Sequence, residues 1–143
     1  MTLKDKFLTA IAQELPELDV HIRDLPMDET FITIPPEYLK QVAGLLMERC
    51  DITHLSTITG LDNGTQMELL YHFWYGSGIT LHMNLPYLAL QVDSLTDIIP
   101  GARMYEREVH EMLGISFSGL TGEGHLFLPD DWTGAPPLRK GEP

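Results

Sequence analysis

The middle of the sequence has two stretches in which apolar side chains recur at every second position: Met67, Leu69, Tyr71 and Phe73, then Ile79, Leu81, Met83 and Leu85. A period of two belongs to extended backbone and places each set on one face of a strand. The intervening Tyr75-Gly76-Ser77-Gly78 reads as a turn, so the two strands form a hairpin with a single apolar face. That face has to be covered by a second layer.

The flanking segments supply the cover. Leu3, Phe7, Ala10, Ile11 and Leu15 recur at helical spacing behind a Thr2/Asp5 capping box, and Pro16 ends the run. Val20 with Ile22, and Thr30 to Ile34, read as short strands joined by a turn at Leu25-Pro26-Met27-Asp28. Pro35-Pro36 opens a second helix, whose stripe of Leu39, Val42, Leu46 and Cys50 is expected to pack on the sheet. A strand over Ile52 to Thr59 leads to Leu61-Asp62-Asn63-Gly64, where Asn-Gly signals a hairpin. Another short strand is expected over Ala89 to Val92. Ser94-Leu95-Thr96-Asp97 has capping-box form and begins a short helical turn, which Pro100-Gly101 interrupts. A third helix follows from Ala102 to Leu113, with Ala102, Tyr105, Val109, Met112 and Leu113 on its apolar side and Gly114 in the C′ position. From about 115 to 143 the chain is rich in Gly and Pro and reads as an irregular, extended tail. These elements predict one α+β domain over 1–143: a mixed or antiparallel sheet of four to six strands with helices mainly on one face.

Charge narrows the partners. With 9 Lys and Arg against 21 Asp and Glu, the net charge of −12 repels phosphate backbones and anionic headgroups, so nucleic acid and polybasic membrane docking are poor fits. No apolar run approaches the roughly 18 residues that a membrane-spanning helix needs, which argues against direct insertion. The start, Met1-Thr2-Leu3-Lys4-Asp5-Lys6, lacks the apolar core of a signal peptide, and a cytoplasmic location is expected. Cys50 is the single cysteine, so neither an internal disulfide nor a cysteine-held iron–sulfur cluster can form, and its place in an apolar stripe marks it as a core residue.

Few residues suggest chemistry. His72 and His82 lie on the two arms of the central hairpin, and a register placing them opposite one another would bring two imidazoles together. Zinc takes three or four ligands, and no third residue has motif spacing to them. Glu106, Glu108 and Glu111 could be imagined as acid/base carboxylates. Arg103 and Arg107, three and four residues before Glu106 and Glu111, favour a solvated, salt-bridged face instead. No phosphate-binding loop, nucleophile elbow or dinucleotide fingerprint is present, and Gly122-Glu123-Gly124 is too short for a phosphate cradle.

Tyr105-Glu106-Arg107-Glu108-Val109-His110-Glu111-Met112-Leu113-Gly114-Ile115-Ser116-Phe117-Ser118-Gly119 resembles the signature of the 30 kDa subunit family of respiratory complex I, the NADH:quinone oxidoreductase. Related chains occur in energy-converting [NiFe] hydrogenases. Leu128-Pro129-Asp130-Asp131-Trp132 and Pro137-Leu138-Arg139-Lys140 resemble the family's second block, and Ser94 to Ala102 its lead-in. Two motifs in the right order and at about the right separation make the resemblance specific. The chain departs from the pattern at Leu120 to His125, where the family usually has His-Pro and then a basic residue, and at Lys140-Gly141, where Lys-Asp is usual. The compact length and the Pro-Gly-Ala lead-in lean towards the hydrogenase branch or a related archaeal or bacterial assembly.

The resemblance implies a subunit without catalytic residues, cofactor or metal of its own, in a complex I-like oxidoreductase or an energy-converting [NiFe] hydrogenase. It would sit in the hydrophilic arm at the inner face of the cell membrane, beside the large 49 kDa-like subunit with the quinone site, or the large [NiFe] subunit. The residues expected to dock on those partners are Glu106, Arg107, Glu108, Trp132, Arg139 and Lys140. For Glu106 to Glu108, an internal salt-bridge knot tying tail to helix is the competing reading. A small metal enzyme built on His72 and His82, and a generic interaction module, are the alternatives from other classes.

Overall fold

The computed structural model describes residues 2–52, 54–74, 76–122 and 125–140. Three helices, α1 (Leu3–Glu14), α2 (Leu39–Cys50) and α3 (Ala102–Leu113), are combined with seven strands. The strands are β1 (His21–Leu25), β2 (Glu29–Thr33), β3 (Leu55–Asp62), β4 (Met67–Trp74), β5 (Gly78–Leu85), β6 (Gln91–Asp93) and β7 (Ser116–Ser118). The first five form one sheet in the order β1-β2-β5-β4-β3, antiparallel except where β2 lies parallel to β5. The fold is therefore a single α+β domain with a mixed sheet, as the periodicities predict. No helix among the described residues is long and apolar enough to cross a membrane.

Strand alternation decides what is buried. Met67, Leu69, Tyr71 and Phe73 of β4 and Ile79, Leu81, Met83 and Leu85 of β5 are all buried, and Ile32 and Ile34 extend the same core. Phe7, Ala10 and Ile11 of α1 and the α2 stripe of Leu39, Val42, Leu46 and Cys50 close over them. Burial raises the Cys50 thiol pKa, in keeping with a core role. Thr2 and Asp5 form the expected capping box, each side chain accepting from the other's backbone N–H. Pro35-Pro36 first forms a 3₁₀ turn, Pro36–Tyr38, before α2 begins.

Local departures have local causes. Asp62 pairs with Met67, so the hairpin at Asn63-Gly64 is a four-residue loop; Asn63 Oδ1 accepts from the N–H of both Thr65 and Gln66. Tyr75, in the other predicted turn, and Thr53, in the predicted Ile52 strand, lie outside the described residues. The strand predicted over Ala89–Val92 is confined to β6, which begins only at Gln91 and runs to Asp93, and the tail read as irregular contributes β7, which runs parallel to it. Three residues on each side are too few for periodicity to reveal.

α3 packs across β3 at Gly60, where a Cβ atom would lie 2.6 Å from Leu113 Cδ1 and 3.1 Å from Val109 Cγ1. The missing side chain sets the distance between helix and sheet. Gly60→Val is expected to force α3 outwards and to lower stability by about 1–3 kcal/mol, measured by urea unfolding.

Candidate docking site

The family-like motif occupies α3 and the segment behind it, and its geometry follows from buried carboxylates. Glu106 falls in register with Ala102, Val109 and Leu113, at i, i+4, i+7 and i+11, and is 0% exposed. Its Oε1 accepts from Ser94 Oγ at 2.6 Å and its Oε2 from Leu95 N at 2.7 Å. Ser94 begins the turn over 95–99 as predicted, and its Oγ accepts from Thr96 N at 3.1 Å. The predicted capping box does not close: Ser94 N donates to the Ser118 carbonyl at 2.9 Å, and Asp97 pairs with Lys40 at 2.9 Å. Burial raises the Glu106 pKa, opposed by the hydrogen bonds from Ser94 and Leu95. Glu106 is thus an internal tie and presents no acceptor to a partner, which corrects the expectation drawn from the sequence.

Glu111 does the same for the tail. Its Oε1 accepts from Leu126 N at 2.9 Å and Leu128 N at 3.0 Å, and its Oε2 from Phe127 N at 2.7 Å. His125 Nδ1 lies 3.1 Å from Oε1. Burial works to raise this pKa, but the three N–H donors and His125 outweigh it and leave the pKa lowered. Tail and helix are therefore knotted together at Glu111 by charge-assisted bonds from backbone amides. Arg103 Nε donates to the Thr121 carbonyl at 3.0 Å.

A third buried carboxylate was missed by the sequence reading. Asp62, 3% exposed at the end of β3, accepts from Gly64 N at 2.9 Å, from the Tyr87 hydroxyl, and from Lys140 N at 2.7 Å. The Tyr87 bond, and after it those of Gly64 and Lys140, lower its pKa against the effect of burial. The available signal was parity: Asp62 shares the inward face of β3 with Ile58 and Gly60. Leu138 N also donates to the Met112 carbonyl at 2.9 Å, so the tail is held near both ends.

Between α3 and the tail is a cavity of about 750 Å3 lined by Arg107, His110, Glu111, His125, Trp132 and others. Gly122, with φ +138°, approaches Arg107 and Arg103 so closely that a Cβ atom would lie 3.1 Å from Arg107 Nε and 3.2 Å from Arg103 Nη2. Arg107 and Arg139 are half-buried, while Glu108, Trp132 and Lys140 are exposed. The structure thus brings five of the six expected docking residues to or near the surface, on the same helix and tail. Phe127 (61% exposed) and Leu138 (59%) join Trp132 as apolar side chains turned outwards. Glu123 and Gly124, in the segment that departs from the family pattern, and Gly141 lie outside the described residues.

The histidine pair is elsewhere, on the open face of the sheet. His72 pairs with Thr80, and His82 with Leu70, so the two are offset by two positions rather than opposite. His72 is bridged by Thr59 and Thr80 hydroxyls, both at 3.1 Å, and His82 by Thr33 at 2.9 Å and Glu68 at 2.7 Å. Every ring nitrogen of the pair is already engaged, and no group of three or more potential ligands that could hold a metal occurs among the described residues.

Residues 32–143 match the family model for the respiratory-chain NADH dehydrogenase 30 kDa subunit. The chain belongs to this family. It is 31% identical over 120 residues to the C subunit of the NADH-quinone oxidoreductase of Herpetosiphon aurantiacus, covering 78% of this chain and 70% of that one. It is 28% identical over 144 residues to the C subunit of the F(420)H(2) dehydrogenase of Methanosarcina mazei, covering 97% and 86%. The fold also matches a protein in the structure of an archaeal membrane-bound sulfane sulfur reductase, with a TM-score of 0.74 at 20% identity over 91% of this chain and 79% of that one. The chain is accordingly a subunit of a complex I-like respiratory assembly, and its partners are other subunits of that assembly.

Two outcomes follow from the carboxylate ties. Glu111→Ala leaves three amides without their acceptor, and proteolytic cleavage within 120–135 should accelerate roughly tenfold in limited digestion. Because the folded-state pKa values of Glu111 and Asp62 are lowered, their stabilisation is full above the ordinary carboxylate values of 4.5 and 3.8 and is lost as pH falls through the folded values. Glu106, with its raised pKa, contributes with the opposite sign. Trp132 fluorescence in a Trp74→Phe background should therefore report release of the tail on acidification below about pH 4.5, and Glu111→Gln should flatten that transition.

Proposed function

We propose that this subunit has neither catalytic groups nor a cofactor, and that it docks through the α3–tail surface beside the large subunit of its complex. That large subunit is the quinone-site protein of a complex I-like oxidoreductase or the [NiFe] subunit of an energy-converting hydrogenase. The observation carrying the proposal is the exposure of Phe127, Trp132 and Leu138 on a tail already fixed to α3. Fixed, outward apolar side chains form a docking edge with little ordering left to do on association.

Charge supports the same surface. Arg103, Arg107, Arg139 and Lys140 are four of the chain's nine basic residues, and all lie on α3 or the tail. Glu108, Asp130 and Asp131 stand on the same helix and tail, so a partner would meet both signs of charge there. Arg107 and Arg139 offer planar donor forks that fix orientation, and Glu108 can accept from a partner cation. The assembly would place the chain at the cytoplasmic face of the membrane, peripheral to it.

Arg107→Glu and Trp132→Ala are each expected to leave a domain that unfolds cooperatively, read by circular dichroism, while losing roughly tenfold or more in recovery with the large subunit. Normal recovery of both variants would overturn the docking assignment. Outright unfolding of Arg107→Glu would make that residue structural.

A further inference from the structure

A second groove lies away from α3 and the tail, between the C-terminal end of α1, the outer face of α2 and the segment after β6. Its volume is about 540 Å3, and Leu15, Leu45 and Ile98 provide an apolar floor. The rim carries Glu14, Glu37, Glu48 and Asp93 against one lysine, Lys40. Two of the available charges are already used: Arg49 pairs with Glu14, and Lys40 with Asp97 at 2.9 Å. Among the described residues, no cation stands within ion-pair distance of Glu37 or Glu48, and Asp93 feels the charge of Lys40 without pairing with it.

Gly44 is an independent indication. Glu37, Gln41, Gly44 and Glu48 follow one another at spacings of four, three and four, so they share one face leading into the groove. Glycine is the least favourable residue in a helix interior after proline, and nothing in the chain lies within 4 Å of where a Cβ of residue 44 would be. The space over Gly44 is therefore open among the described residues, and a second backbone could pass close to α2 there.

We infer that this groove is a second subunit interface, and that it receives a basic amphipathic segment of another subunit in the same complex. Two or three apolar side chains would rest on Leu15, Leu45 and Ile98, Lys or Arg heads would reach Glu37, Glu48 and Asp93, and the backbone would pass over Gly44. The inference rests on the chain's place in a multi-subunit assembly but uses none of the α3–tail residues.

The test uses the assembled, purified complex with a photo-crosslinking phenylalanine at Gln41. The crosslinked peptide is expected to come from another subunit, to carry net positive charge and to contain apolar residues. Glu37→Lys with Glu48→Lys should lower the crosslink yield several-fold at low ionic strength, and added salt should restore part of it by screening the new repulsion. A neutral or acidic crosslinked segment, no crosslink in an intact complex, or a yield indifferent to the charge reversal would each overturn the groove assignment while leaving the α3–tail docking standing. Loss of assembly only on changing Arg107 or Trp132 would count for that other surface alone.

Discussion

A carboxylate can be removed from water only if other donors replace its hydration shell. Glu106, Glu111 and Asp62 meet this condition by collecting backbone N–H groups from segments distant in sequence. Glu106 joins α3 to the turn after β6, Glu111 joins α3 to the tail, and Asp62 joins the end of β3 to the tail's last described residue. Each tie satisfies two parties at once, since the irregular segments bring amides that no helix or strand would pair. These acceptors add to β7, to the Leu138–Met112 bond and to the Arg103–Thr121 bond in holding the tail.

The same chemistry explains how a small domain can be useful to a larger machine. The tail is shaped by its own helix, so the outward side chains Phe127, Trp132 and Leu138 need not be ordered by a partner. Four of the nine basic residues lie on α3 or the tail, interspersed with seven acidic ones, so both signs of charge are present there. A surface of mixed charge can fix the orientation of an approaching partner through complementary pairs. The open face of the sheet is less suited to chemistry, because threonine hydroxyls and Glu68 already occupy the ring nitrogens of His72 and His82.

Most of the fold could be read from periodicity. The alternation in β4 and β5, the stripes of α1 and α2, the capping box at Thr2 and the C′ glycine at Gly114 all express local rules that tertiary packing then reinforces. The site was only half legible. Family motifs located it, but Glu106 and Glu111 read as a solvated face because charged residues in a helix usually are, and the nearby arginines offered ready partners. Their real partners are main-chain amides, which every residue but proline has and no sequence pattern marks. Register was the remaining clue: Glu106 continues the Ala102–Val109–Leu113 stripe, and Asp62 the inward parity of β3. The β6–β7 pair was likewise illegible, since its partners come from segments 25 residues apart (91 to 116).

The central claim is that the tail is set by buried carboxylates before any partner arrives. Amide hydrogen exchange on the isolated chain, resolved by NMR, tests it most directly at Leu126, Phe127 and Leu128. These amides should exchange on the order of a hundredfold more slowly than unstructured peptide, with little further slowing when the large subunit is added. Exchange at unstructured rates in the isolated chain, with protection appearing only in the complex, would contradict the account and make the partner the agent that orders the tail.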